Sequence, residues 1–196
     1  LPELTRRLGL VGLSDDVLHR FPIELSGGMK QRVVMVLSTL LNPSLLIADE
    51  LTSALDVSTQ KAVAEMLVEF RDREFVKSTI VITHDLSILY QMADTILIMY
   101  AGKLVEKAPA GDIIDSPKHP YTHLLLSSLP EVGIRYEEQK LSGIPGRPPG
   151  LLNPPAGCRF RDRCPLAFEK CAEEPPFVEL EPGRHVACWK AGEIAA

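Results

Sequence analysis

The 196-residue sequence lacks a surplus of positive charge, a membrane-length apolar run and any cysteine ahead of Cys158. Its 21 Lys and Arg stand against 26 Asp and Glu, a net charge of −5, which argues against a general cationic grip on nucleic acid while leaving room for a local basic patch, and no nucleic-acid partner is expected. The longest apolar stretch, Val33 to Leu41, is broken by Ser38 and Thr39 and falls far short of the roughly 20 residues needed to span a bilayer. Leu1 opens no signal peptide, since Glu3, Arg6 and Arg7 precede no apolar segment and no small-residue cleavage site, and a cytosolic chain is expected. Proline is scarce early: 13 of the 16 prolines lie from Pro109 onward, and the four cysteines fall between Cys158 and Cys188. What remains, 45% apolar and 24% charged residues, is a globular balance. The chain therefore divides into a periodic front part, residues 1–108, and a loop-rich tail, residues 109–196.

In the front part, residues 29–41 carry Val33, Val36, Leu37, Leu40 and Leu41 at helical spacing, and Asn42-Pro43 stops the helix. Leu45 to Ala48 is a short unbroken apolar run ending at Asp49 and Glu50, which predicts a central strand covered on both faces. Residues 57–70 place Ala62, Val63, Met66, Leu67 and Phe70 on one helical face, with Asp56 as N-cap. The β-branched run 78–83 ends at His84-Asp85 before a further helical stretch at 86–93, and strands at 95–100 and 103–107 flank a tight turn at Ala101-Gly102. The alternation predicts an α/β fold with a mainly parallel sheet.

Ligands of such sheets bind beyond the carboxyl ends of the strands, where Asp49, Glu50 and His84 fall. An acidic pair at a strand end suits phosphoryl transfer: one carboxylate holds Mg²⁺, directly or through water, and its neighbour orients and deprotonates an attacking water. An ordinary solvated turn is the plain alternative. Upstream, Ser26-Gly27-Gly28 precede a helix whose free N–H groups favour an anion, with Gln31 in its first turn. Ser26 serves there as helix cap or as phosphate donor, and both roles stay open.

The series LSGGMKQR (residues 25–32), LLIADE (45–50), TSALD (52–56) and THD (83–85) resembles the signature, Walker B, D-loop and H-loop of ATP-binding cassette (ABC) ATPases. LSGGM in place of LSGGQ is similar to subunits that drive oligopeptide and dipeptide import. The resemblance implies Asp49 positioning Mg²⁺, Glu50 as general base and His84 bonding the γ-phosphate. It also implies Ser26, Gly27, Gly28 and Gln31 on ATP held by an opposing subunit, with Asp56 acting across that interface. Leu51 stands where the family usually has proline, a change expected to loosen the following turn. No G-x-x-x-x-G-K-[ST] loop occurs in the sequence. The chain is accordingly expected to be a C-terminal piece, without tight ATP binding or hydrolysis on its own.

His119-Pro120-Tyr121-Thr122 opens a helical run ending at Pro130, which by spacing alone is a packed helix with a proline start. Cys158, Cys164, Cys171 and Cys188 lack the tight C-x₂₋₄-C knuckles of structural zinc, and their wider gaps suit an iron–sulfur cluster better, with zinc, disulfides or free thiols as alternatives. HPYT, Ile144-Pro145-Gly146 and GCRFRDRC resemble the C-terminal extension of peptide-transporter ATPases. That resemblance implies a [4Fe–4S] cluster on the four cysteines and a substrate among peptides, with nickel the smaller alternative. It further implies a second ATPase subunit and membrane permeases as partners, a peptide-binding protein indirectly, and a peripheral place on the cytoplasmic face of the membrane. His185, three residues before Cys188, is expected beside the cluster or at the surface rather than as a ligand. Two rival functions are a non-catalytic metal or interaction module and a DNA-repair ABC ATPase; the latter conflicts with the HPYT segment, the cysteines and the absence of sustained heptads.

Overall fold

The computed structural model describes residues 2–51, 57–128, 143–191 and 193, and the chain forms two compact units, 1–92 and 93–196. Their junction precedes the composition shift at Pro109, because the strand pair ahead of that proline belongs with the tail. No helix among the described residues is long and apolar enough to cross a membrane.

The first unit runs α1 (Pro2–Leu10), α2 (Gly27–Thr39), β1 (Leu45–Asp49), α3 (Val57–Asp72), β2 (Ser78–Ile82) and α4 (Leu86–Met92). Ser26 caps α2, its hydroxyl accepting the Met29 N–H at 3.3 Å, and Asn42 ends the segment in the left-handed region at φ +49°. Leu8, Val36, Val63, Leu67 and Phe70 form the centre of an apolar cluster between the helices. Each such side chain contributes about 1.5–3 kcal/mol on burial. Arg7 is buried among them: its guanidinium lies 4.1 Å from the Phe75 ring centre, donates to Asn42 Oδ1 at 2.6 Å and to the Thr39 carbonyl, and thereby closes the end of α2. Leu51, in the place of the usual proline, is partly buried against the same cluster.

Strands β1 and β2 pair in parallel, Leu45 opposite Ser78 and Asp49 opposite Ile82, as the intervening crossover helix α3 requires. Leu46, Ala48 and Val81 turn to the covered side. Leu45, Ile47, Ile80 and Ile82 occupy the other face and stay about half exposed, 47–60%. The expectation of a strand buried on both faces is thus corrected: among the described residues, helices cover one face only.

In the second unit, β3 (Thr95–Tyr100) and β4 (Lys103–Pro109) form an antiparallel hairpin, followed by α5 (Ala110–Asp115) and α6 (Pro120–Ser127). Ala101 and Gly102 both take positive φ, +47° and +79°, the backbone of a two-residue hairpin turn. Two strands that the sequence did not suggest, β5 (Val178–Glu181) and β6 (Arg184–Val186), extend this sheet in the order β3-β4-β6-β5. The expected mainly parallel sheet is therefore replaced, among the described residues, by one parallel pair and one four-stranded antiparallel sheet. A two-residue turn can join only antiparallel neighbours, and both hairpins follow that rule.

Candidate functional site

The parallel register carries the chain from β1 and β2 to the same end. Glu50 continues the ladder, its N–H donating to the Ile82 carbonyl at 2.9 Å, while its φ of +50° turns the side chain out of the strand. Such a backbone is uncommon for a residue with a Cβ and clusters at functional sites. His84 lies two residues beyond β2, and its Nδ1 is 3.2 Å from Glu50 Oε2 and 3.4 Å from Oε1. The turn holding His84 is itself bonded: Thr83 Oγ1 accepts the Asp85 N–H at 3.1 Å, and Asp85 Oδ1 accepts the Ser87 N–H at 2.9 Å at the start of α4. Asp49, the last residue of β1, is exposed beside this pair. A neutral imidazole that donates Nδ1–H to the carboxylate orients it, leaving the other oxygen for a water or a metal-bound water.

Ser26 and Gly27 are exposed at the start of α2, and Gly28 and Gln31 are half-buried. The amide oxygen of Gln31 is buried without a partner among the described residues. A Cβ on Gly28 would approach Thr59 of α3 to 3.1 Å, so glycine there allows α2 to lie close against α3. Asp56 lies outside the described residues.

The tail assembles a second group. All four cysteines are free, and all four line one small cavity together with His119, Pro120, Phe160, Leu166, Phe168 and Trp189. Gly157, at φ +75°, permits the closest approach: a Cβ there would meet the Ala172 carbonyl oxygen at 2.4 Å, and the Cys158 N–H donates to the Cys171 carbonyl at 3.0 Å. Backbone N–H groups already face the sulfurs, from Phe160 and Arg161 to Cys158, from Leu166 to Cys164, and from Lys190 to Cys188 at 3.4 Å. Burial nonetheless raises the thiols of Cys158, Cys164 and Cys188, the last to about 11. No three His, Cys, Asp or Glu side chains among the described residues are placed to hold a metal ion, so the expected metal centre has no support as a preformed ion site.

Several residues that sequence reasoning passed over organise this region. Glu106, fully buried on β4, accepts the Lys118 and His119 N–H groups at 2.7 and 3.0 Å and pairs with Arg184 Nη2 at 3.4 Å. Arg184 also donates to the carbonyls of Asp112, at 3.2 Å, and Ser116. The available signal was Glu106 itself, which alternates with Leu104 and Ala108 on an inward face. Arg163 holds the Pro145 and Ile144 carbonyls at 2.7 and 2.8 Å, and Arg159 the Ala101 carbonyl, so these guanidinium groups bind loop backbone. His185 stacks on Phe177, ring centres 5.5 Å apart, and is not among the cavity residues.

Comparison with known proteins gives two family matches. Residues 1–53 match the family "ABC transporter" and residues 105–171 match "Oligopeptide/dipeptide transporter, C-terminal region". The dipeptide transport ATP-binding protein DppD of Caldanaerobacter subterraneus is 42% identical over 96% of this chain and 57% of its own length. The oligopeptide transport ATP-binding protein OppD of Escherichia coli is 45% identical over 98% of the chain and 53% of its own. A probable peptide ABC transporter ATP-binding protein of Sinorhizobium fredii, y4tR, is 39% identical over 99% and 58%. The chain thus spans a little over half the length of these relatives. A solved structure of the ATP-binding cassette MJ0796, a dimer bound to ADP and Pi, is 26% identical over 54% of the chain at a TM-score of 0.47, too slight a likeness to carry an argument.

Proposed function

We propose that this chain, which matches the ABC transporter model over residues 1–53 and the oligopeptide/dipeptide transporter C-terminal model over residues 105–171, forms the C-terminal part of the ATP-hydrolysing subunit of an oligopeptide or dipeptide importer. The observation that carries this reading is the 3.2 Å contact between His84 and Glu50 at the shared end of two parallel strands. Residues 1–108 would supply the ATPase elements and residues 109–196 the transporter-specific extension. The partners would be a second ATPase subunit, membrane permeases and, through them, a peptide-binding protein, with the subunit peripheral on the cytoplasmic face of the membrane.

Glu50 is the general base in this reading and His84 holds its carboxylate toward the attacking water and the γ-phosphate. Asp49, an exposed oxygen donor one residue away, fits Mg²⁺ through the ion's water shell, and the ion would supply charge neutralisation at the phosphates. Ser26, Gly27, Gly28 and Gln31 meet the nucleotide of the opposing subunit from the start of α2, and Asp56 acts across the same interface. Since the sequence holds no G-x-x-x-x-G-K-[ST] loop, this chain alone is expected to show no ATP turnover above background. Glu50→Gln in the intact subunit should lower turnover by about 10²–10⁴-fold, as loss of a general base does, while ATP still closes the dimer. Unchanged turnover rejects Glu50 as base, and strong Mg-ATPase activity of this chain alone rejects its reading as a piece.

For the cysteines we infer a [4Fe–4S] cluster. Four free thiols on one cavity, three of them already met by backbone N–H groups, are a donor set suited to such a cluster. Zinc is not carried forward, because no group is placed to hold a single ion. The cluster would cross-link the loops that carry the four cysteines.

A further inference from the structure

The HPYT segment has no part in the reading above, yet His119 is among the most completely buried side chains of the molecule, 1% exposed. Two hydrogen bonds fix it. Its own N–H donates to Glu106, and its Nδ1 accepts the N–H of Tyr121 at 3.0 Å, which makes it the cap of α6. An Nδ1 that accepts cannot carry a proton, so the ring is the tautomer with hydrogen on Nε2. The ring packs against Phe160, 6.0 Å away between centres, and lines one cavity with it and with Cys158, Cys164, Cys171 and Cys188. Among the described residues Nε2 has no hydrogen-bond partner. The four thiols that line the same cavity offer sulfur as the acceptor for it.

We infer that His119 is a positioning residue of the cysteine cavity, its Nε2–H donating to sulfur of the iron–sulfur group that the four thiols hold. This inference rests on the cluster reading. Its chemical consequence is distinct from helix capping: a donor to sulfur stabilises the more negative, reduced state of such a group and raises its potential.

The test compares the wild-type chain with His119→Asn, reconstituted anaerobically with iron and sulfide. Asparagine keeps an oxygen to cap α6 but is too short to reach the cavity. With iron and sulfide content unchanged, the reduction equilibrium of the variant should shift about tenfold toward the oxidised form, which is 59 mV for one electron. The reduced wild type labelled with ¹⁵N-histidine should show a weak nitrogen coupling by pulsed electron paramagnetic resonance. An equal potential in a variant that keeps its cluster, or no such coupling in the wild type, overturns the inference and leaves the cluster standing. Where His119→Asn fails to fold or load, the wild-type coupling alone decides, its presence supporting the donor and its absence rejecting it. Failure of the wild-type chain itself to bind iron and sulfide rejects the cluster reading, and the donor role with it.

Discussion

Residues 1–92 and 93–196 are held together by different materials. The first unit buries apolar side chains projecting from helices, with Val36, Val63 and Phe70 almost wholly withdrawn from water. The second buries Glu106, His119, Thr122 and Arg184 just as deeply. Helices satisfy their own backbone, so their faces are free to be apolar. A proline-rich tail leaves carbonyls and N–H groups unpaired, and side chains must satisfy them. Glu106 takes the N–H groups of residues 118 and 119, while Arg184, Arg163 and Arg159 take carbonyls at 112, 116, 144, 145 and 101. Polar burial in the tail does the work that secondary structure does in the front. In the front part Arg7, against the end of α2, and Thr39, bonded to the Met35 and Val36 carbonyls, use the same device.

That contrast can be broken experimentally. Phe70→Ala opens a void in the helical cluster and should cost about 4 kcal/mol, read as a loss of helical signal in chemical denaturation; a cost under 1 kcal/mol would show the cluster is not what holds the first unit. Glu106→Gln removes the buried counter-charge of Arg184, leaving it only the exposed Glu181 at 3.9 Å, and should cost about 3 kcal/mol, with faster amide exchange at residues 118 and 119. Exchange unchanged there would remove Glu106 as the anchor of the tail. The smallest effect belongs to Glu3, whose carboxyl is lowered to about 2 by its bonds to Arg6 and Arg7. A depressed carboxylate stabilises above its unfolded value of 4.5 and loses that contribution as pH falls through about 2. The stability difference between wild type and Glu3→Gln should therefore be present at pH 6, fade over that window and shrink with added salt, since the pair is exposed.

The experiments on Glu50 and His119 sharpen the same comparison from the side of function. In the front unit a functional pair sits exposed on the ends of strands, while in the tail the candidate donor is buried and lines a cavity with the cysteines. Both follow from how each unit is built: strand ends present side chains to solvent, whereas loops folded around a cavity enclose them.

Much was written in the linear order of residues. Periodicity located α2, α3 and both parallel strands, Ser26 announced its cap, and Ala101-Gly102 announced the hairpin turn, because each of these depends on neighbours within one or two turns of chain. Asp49, Glu50 and His84 were legible as a group since a parallel sheet brings successive strand ends together. The tertiary structure alone decided that β3 and β4 join the tail, that β6 pairs with β4, and that one face of β1 and β2 is left uncovered. It alone also brought His119 and four cysteines up to 69 positions away to a single cavity, and Arg184 to Glu106 across 78 positions. Local preferences set the elements. Partners so distant in sequence are chosen by which buried polar group finds its complement, and no pattern along the chain encodes that match.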